Sequence, residues 1–485
     1  MASMFDKLFK RQPVEAPASA TAPASAAAPA SAPGRFDALC SQAAQAAANR
    51  DLQRAIQLLD QAIALEPARA EPHYKRANAL KDLGRLEAAV AGYDQAIERK
   101  PDYTYAYCNR GFVQHGLGLL DAALSSYDQA IAIDATDPFT HYNRALLLQD
   151  YSRWEQALAS YDRAVALNPQ FADAQYNRAV CMLFQGDFEN GWPPYEWRWK
   201  NARRLGIGDL RDFPRPLWLG DAPIRGRRLL LHSEAGLGDT MQFCRYAKLA
   251  AAQGATVLLE VQPPLADLLG SLEGVSQIIA KGSALPSFDY HCPLMSLPLA
   301  FKTTLDTIPA FPQYLRSDPA KVAQWRSLLG EKVCPRIGLV WSGNPNNPID
   351  ARRNIQLADW IEHLSPGFQY FRLQTEVREA DQDVLDSSDT IFSYDDDLLD
   401  FANTAALCEC MDLVISVDTS LAHLGGALGQ RTWVLLPFTP DWRWLRDRDA
   451  SPWYPTMKLY RQRAAGDWKD VFARVAADMH REWRK

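Results

Sequence analysis

The sequence is poor in cysteine and histidine, with eight of each among 485 residues. The cysteines form no CxxC pair, and Cys408 and Cys410, two apart, cannot share one face of a helix. The paired CxxC spacing of a zinc ribbon is therefore missing, and the thiols read as buried and reduced in a cytosolic chain. No run of 18 apolar residues occurs, so nothing has the length of a membrane-spanning helix. The opening MASMFDKLFKRQ sets its basic residues after its apolar ones, the wrong order for a secretory signal. It reads as a frayed start, although Met4, Phe5, Leu8 and Phe9 could form one amphipathic turn. A net charge of −6 gives no global attraction to nucleic acid. No His/Cys cluster has metal-ligand spacing, and the consecutive Asp395, Asp396 and Asp397 cannot all face one site, so they read as an acidic loop. These absences predict a cytoplasmic chain with no metal, no nucleic-acid partner and no stable membrane insertion.

The chain is too long for one core, and its 47% hydrophobic and 23% charged residues are those of a globular protein. Residues 12–34 are almost wholly Ala, Pro and Ser, a composition that cannot bury enough surface to offset its ordering entropy. Residues 1–34 are expected to be a disordered tail. A strict period of 34 then begins. Ala55, Ala89, Ala123 and Ala157 keep it, as do Ile63, Ile97, Ile131 and Val165, and Tyr93, Tyr127, Tyr161 and Tyr195. Gly84, Gly118 and Gly186 mark a turn between paired helices, with Ser152 in the missing place, and Pro67, Pro101 and Pro169 end the second helix. Period and residue types resemble the tetratricopeptide repeat over residues 35–200, with a departure at Gly191–Pro194 that suits a cap or junction.

Two rows run along these repeats. Asn109, Asn143 and Asn177 recur at one position of the first helix, with Lys75 in the equivalent place. An amide can donate to and accept from an extended peptide, and a similar ladder lines the repeats of protein O-GlcNAc transferases. The alternative is a bond from each asparagine to the neighbouring repeat. The adjoining arginines, Arg76, Arg110, Arg144 and Arg178, read as inter-repeat bonding or a solvated edge. The aromatic and basic stretch 192–204 reads as a packed seam leading into a junction, residues 201–226.

The second half changes character. Leu229–Leu231 is an apolar run with the look of a buried parallel strand, followed by a loop with Gly236 and Gly238, a helical stretch from Asp239 to Ala252, and a strand at Thr256–Val261. The loop matches neither GxxxxGK[ST] nor the full GxGxxG spacing. A second unit opens with the strand Ile337–Val340, continues through a polar loop holding Arg352 and Arg353, and adds a strand within 368–376. Val414–Val417 then runs into Asp418, Thr419 and Ser420 at a helix start, where amides and hydroxyls form a natural pyrophosphate site. His423 lies one turn after Thr419 on the same face, and Gly425 and Gly426 let that helix sit close to the sheet.

VDTSLAHLGGALG is similar to the signature of the bacterial heptosyltransferase family, and SEAGLGD resembles that family's acceptor-side loop. The resemblance covers residues 227–465. It implies two Rossmann-like α/β lobes of the GT-B type, an acceptor lobe at 227–330 and a nucleotide-sugar lobe at 331–465, with a C-terminal helix at 466–485 crossing back to the first lobe. It also implies Asp239 as general base and Asp418, Thr419, Ser420 and His423 as donor-binding residues. Arg352 or Arg353 stands where the family usually has lysine. The expected fold is thus a helical solenoid followed by two α/β lobes. The expected activity is a metal-independent, inverting transfer from a nucleotide-sugar co-substrate, without other cofactor, to a protein or peptide held by the repeats through Asn109, Asn143 and Asn177. A cell-surface glycan acceptor, or a non-catalytic scaffold on a degenerate transferase fold, are the alternatives. His232 and Glu234 are lesser candidates beside the loop, and Asp441–Trp444 is expected to pack the cleft wall.

Overall fold

A computed structural model describes residues 32–201, 211–345, 350–394 and 400–483. Asp395, Asp396 and Asp397, and the tail up to residue 31, lie outside the described residues. The chain divides after Gln175 into two compact units.

The first unit is a solenoid of antiparallel helix pairs. Ala32–Ala48 pairs with Leu52–Leu65, Ala70–Asp82 with Leu86–Arg99, Thr104–Gly116 with Leu120–Ile133, and Pro138–Asp150 with Trp154–Leu167. The first helix begins inside the expected tail, since a proline is tolerated in a first helical turn. The periodic alanines Ala55, Ala89, Ala123 and Ala157 are all fully buried, as are Tyr93, Tyr127 and Tyr161. Gly92 shows why small residues are needed: a Cβ there would lie 2.9 Å from Cβ of Ala77 on the paired helix. The turn glycines Gly84 and Gly118 have φ of 74° and 75°, and Ser152 adopts the same left-handed conformation at 55°. So does Arg50, at 63°, one period before Gly84. The arginine row binds one repeat to the next. Arg76, Arg110 and Arg144 pair with Asp60, Asp94 and Asp128 at 2.6, 2.6 and 2.7 Å, each aspartate on the second helix of the preceding repeat. Arg110 and Arg144 also donate to Ser126 and Ser160 of their own repeats, at 3.0 and 2.7 Å.

The second unit holds two all-parallel sheets. The smaller contains β1 (Arg228–His232), β2 (Thr256–Val261), β3 (Val275–Ala280) and β4 (Tyr290–Pro293), in the order β3-β2-β1-β4. The larger contains β5 (Arg336–Val340), β6 (Gln369–Arg372), β7 (Ile391–Phe392), β8 (Leu413–Val417), β9 (Thr432–Leu436) and β10 (Met457–Arg461), in the order β10-β9-β8-β5-β6-β7. Renumbered from its own first strand this is 3-2-1-4-5-6, the doubly wound order, with its switch point between β5 and β8. In the smaller sheet the corresponding reversal lies between β1 and β4. A crevice at the carboxyl ends of strands flanking such a reversal is where ligands bind in this architecture.

Two expectations are corrected. The stretch from Asp239 to Ala252 is not one helix but two, Leu237–Phe243 and Tyr246–Ala252. Arg245, fully buried at the break, turns its Nε to the carbonyl of Gln242 at 2.6 Å and its Nη2 to the hydroxyl of Tyr314 at 2.9 Å. The bond to Tyr314 is the tertiary anchor at the break. The C-terminal helix Trp468–Trp483 does not cross to the first lobe. Val471, Phe472, Val475 and Met479 enter the core of the larger sheet with Trp341, Trp360 and Tyr460, and Phe472 stacks on Trp360 at 6.0 Å. Among the described residues no helix is long and apolar enough to cross a membrane.

Candidate functional site

The loop after β1 carries Gly236, Gly238 and Asp239 at the start of the Leu237–Phe243 helix. Gln262 holds this loop from beneath, accepting from Thr240 at 2.9 Å and donating to the carbonyl of Ala235 at 2.9 Å. Asp239 reaches back to accept from the backbone N–H of Gly236 at 2.8 Å through Oδ2, so it caps its own helix. Its Oδ1 accepts from Nη2 of Arg443, a residue of the larger-sheet half. The Asp239 side chain keeps 23% of its surface exposed.

The loop after β8 carries Asp418, Thr419 and Ser420 at the start of the Ser420–Ala427 helix. Thr419 is its N-cap, accepting from Leu421 N–H at 3.3 Å, with Ser416 Oγ 3.2 Å away. Asp418 is buried, and burial pushes its carboxyl up to about 6, with Asp441 adding to the rise and Arg353 opposing it. Arg353 reaches across the switch point and donates to the backbone carbonyl of Asp418, while its Nε meets Asp350 at 3.2 Å. Asp350 is buried and also accepts from Gly343 N–H at 2.9 Å and from Arg378. Arg353 thus ties together the loops after β5 and β8, whereas Arg352, on the same short helix, is exposed.

The two loop helices meet. Gly238 lies against the His423 ring and the backbone of Ser420. His423 is buried, its Nδ1 lies 2.9 Å from the hydroxyl of Tyr454, and its ring stacks on Trp444 at 5.4 Å. Burial, with Arg443, Arg245 and Arg353 nearby, depresses it well below the usual histidine range. It is a neutral imidazole at pH 7, able to offer an N–H but no positive charge. Gly425 and Gly426 sit where a Cβ would strike Thr432 and Tyr454, so the helix does lie tight on its sheet.

Asp239, Asp418, Thr419, Ser420, His423 and Arg353 therefore lie around one junction between the two sheets. In the repeats, Asn109 and Asn143 are buried and are not presented for a ligand. Asn109 is 1% exposed and donates to the Tyr74 hydroxyl at 3.0 Å and to Asn78 Oδ1 at 3.1 Å, both in the preceding repeat. Asn143 is 6% exposed, with its Nδ2 3.9 Å from Cys108 Sγ, again one repeat back. Asn177 shares their register. The bond to the neighbouring repeat, one of the two readings of this row, is the one found at Asn109. Glu234 is likewise internal: Arg198 holds it at 3.0 Å, and burial lifts its carboxyl to about 7. His232 shares a 3.2 Å contact with His291. The seam is packed as expected, with Trp192 Nε1 donating to Thr303 O at 2.8 Å and its ring meeting Trp442 edge-on at 5.4 Å. Sequence reasoning missed Asp350, Arg378, Tyr454 and the role of Arg443. Only Asp350, set before two arginines, left a trace in the sequence.

The family described as TPR repeat matches residues 77–118 and 152–186, and that described as tetratricopeptide repeat matches residues 104–137. Protein FlbA of Caulobacter vibrioides is 27% identical over 323 residues, covering 61% of this chain and 53% of that protein. The chain thus spans about half the length of this curated relative. Among solved structures, MamA from Desulfovibrio magneticus RS-1 is 17% identical, covering 36% of this chain and 95% of that one at a TM-score of 0.31. YrrB, described as a TPR protein with an unusual peptide-binding site, is 18% identical, covering 34% and 91% at a TM-score of 0.30. The N-terminal region is a tetratricopeptide-repeat solenoid, followed by an α/β region built on parallel sheets.

Proposed function

We propose that the α/β region is a GT-B glycosyltransferase resembling the heptosyltransferases, and that the repeats recruit its protein or peptide acceptor. The observation that carries this reading is the meeting of two helix starts. The Leu237 helix follows β1 and the Ser420 helix follows β8, each at the reversal of strand order in its own sheet, and they touch at Gly238 and His423. A nucleoside diphosphate fits the Ser420 helix start, where backbone N–H groups and the Thr419 and Ser420 hydroxyls favour anions. Arg353 shapes that loop through the Asp418 carbonyl, and the exposed Arg352 adds positive charge at the rim. Asp239 faces this site from the opposite loop and is the group that takes the acceptor's proton as its oxygen attacks the anomeric carbon. Charge on the departing diphosphate is met by helix N–H groups and arginine, so the reaction needs no metal in this reading. The acceptor rests on repeat surfaces other than the buried asparagine row.

One observation favours a scaffold without catalysis: both oxygens of Asp239 already hold donors, Gly236 N–H and Arg443. Calorimetry with UDP, GDP, ADP, dTDP and CMP, followed by release assays on the matching sugar nucleotides, separates the two. Binding weakened by Thr419→Ala with Ser420→Ala, together with turnover, supports the enzyme. Binding without turnover supports the scaffold, and no binding removes the nucleotide site.

A further inference from the structure

Arg443 lies deep in the junction, its side chain 9% exposed, and every face of its guanidinium is engaged. Nε donates to Gln242 Oε1 at 2.9 Å, Nη1 to Asp441 Oδ1 at 2.7 Å, and Nη2 to Asp239 Oδ1. Its plane lies 4.5 Å from the Trp442 ring and 5.7 Å from that of Phe243. Burial works against its charge, yet Asp441 and Asp239 hold it well above the usual range, so it is a cation at all relevant pH. Asp441 and Asp239 thus share the burial of that charge, and the arginine in turn holds one oxygen of Asp239.

We propose that Arg443 is the positioning residue for Asp239 in the transfer reaction, an inference that rests on the glycosyltransferase reading above. The Gly236 N–H and the Arg443 Nη2 grip different oxygens of one carboxylate, one from each sheet's half. Two such donors fix the plane of the carboxylate while leaving a lone pair on each oxygen for an incoming hydroxyl. Without Arg443, Asp239 would be held at one oxygen only and free to rotate about its side chain. The arginine itself is immobilised by Asp441, Gln242 and Trp442, and Trp442 is braced edge-on by Trp192 at 5.4 Å and Tyr195 at 5.8 Å. The helix Phe188–Tyr195 is thereby the outer support of the group that orients the base.

The test is steady-state kinetics of the full chain with UDP-, GDP-, ADP-, dTDP- and CMP-linked sugars, read as nucleotide release. On the donor that the wild-type chain turns over, Arg443→Gln is expected to lower kcat about 10- to 100-fold, within the range a misplaced general base forfeits. The donor KM should stay within about twofold, because the guanidinium directs its hydrogen bonds to Gln242, Asp441 and Asp239 rather than to the Ser420 helix start. Arg443→Lys should recover part of kcat, and Arg443→Gln should add nothing to Asp239→Asn. If Arg443→Gln fails to fold, Asp441→Ala keeps the guanidinium but removes the acceptor that anchors it, and the same kcat-only loss is expected. Unchanged kcat in a folded variant overturns the positioning role and leaves the glycosyltransferase reading standing. A raised KM with kcat kept makes Arg443 a donor contact and also overturns it. No turnover by the wild-type chain on any donor overturns both.

Discussion

Gly238 and His423 meet so closely that a Cβ on the glycine would lie 2.7 Å from the histidine Cδ2. The ring cannot retreat, because Tyr454 holds Nδ1 at 2.9 Å and Trp444 stacks on its face. The absent side chain is what lets the two loop helices touch. Gly238→Ala should therefore cost about 1–3 kcal/mol of stability by overpacking, and should weaken nucleoside diphosphate binding at the Ser420 helix start. Chemical denaturation and calorimetry read the two effects. An alanine variant of full stability would mean that the helices have room to spare and that the contact sets nothing.

Arg50 and Ser152 occupy turn positions where Gly84 and Gly118 stand in neighbouring repeats, and all four have positive φ. An L-residue in that region costs roughly 1 kcal/mol relative to glycine, partly offset by the greater entropy of glycine in the unfolded chain. Arg50→Gly and Ser152→Gly are each expected to leave stability unchanged or raise it by up to about 1 kcal/mol, whereas Gly118→Ala should lower it. Thermal melts of the single variants decide the matter. Destabilisation by either glycine would show that the native side chain has a role outweighing its backbone strain.

The asparagine row allows a comparison within one register. Asn109 makes two side-chain bonds to Tyr74 and Asn78, whereas the Asn143 amide lies 3.9 Å from a thiol, a weak acceptor. Asn109→Ala leaves buried polar partners unmatched and should cost about 1–3 kcal/mol, with Asn143→Ala costing less. Peptide binding should fall only as far as folding does. A binding loss in Asn109→Ala at undiminished stability would return this row to the acceptor surface.

What the sequence disclosed follows from the range of the forces involved. The repeats were legible because each alanine and tyrosine performs one local packing task every 34 residues. The strands β1, β5 and β8 were legible as apolar runs, and the loops after β1 and β8 as small residues opening a helix. Long-range partners were not. Asp239 and Arg443 are 204 positions apart, and nothing near either one announces the other. The break at Arg245 was hidden for the same reason, since Tyr314 and Trp453, which hold the arginine, are remote in sequence. The terminal helix displayed its apolar stripe but not the surface that receives it. The asparagine row was visible as a pattern, but exposure, which decides between a ligand ladder and an internal bond, is a tertiary property.

Asp418 gives a prediction in which the sign is fixed by burial. Its carboxyl is raised from 3.8 to about 6, chiefly by desolvation, so the folded chain holds this proton more tightly than the unfolded chain. Between those two values the native state binds more protons from this group, and its contribution to stability falls as pH rises. Above about pH 6 the cost is complete, on the order of 1–3 kcal/mol. Asp418→Asn imitates the neutral carboxyl at every pH. The variant should therefore match the parent near pH 4 and exceed it in stability at pH 7.5, with the difference growing through pH 4–6. Urea denaturation across that range measures it. The reverse sign, with the variant weaker at pH 7.5, would show that attraction to Arg353 and Arg443 outweighs desolvation and that Asp418 is held as a stabilising anion. The same variant then bears on the donor site. A charged Asp418 beside the Ser420 helix start repels a diphosphate, so Asp418→Asn should tighten UDP or ADP binding at pH 7.5 and change it little near pH 5. Weaker binding at both pH values would instead place the carboxylate among the ligand's direct partners, accepting a hydroxyl of the sugar or ribose rather than standing behind the loop.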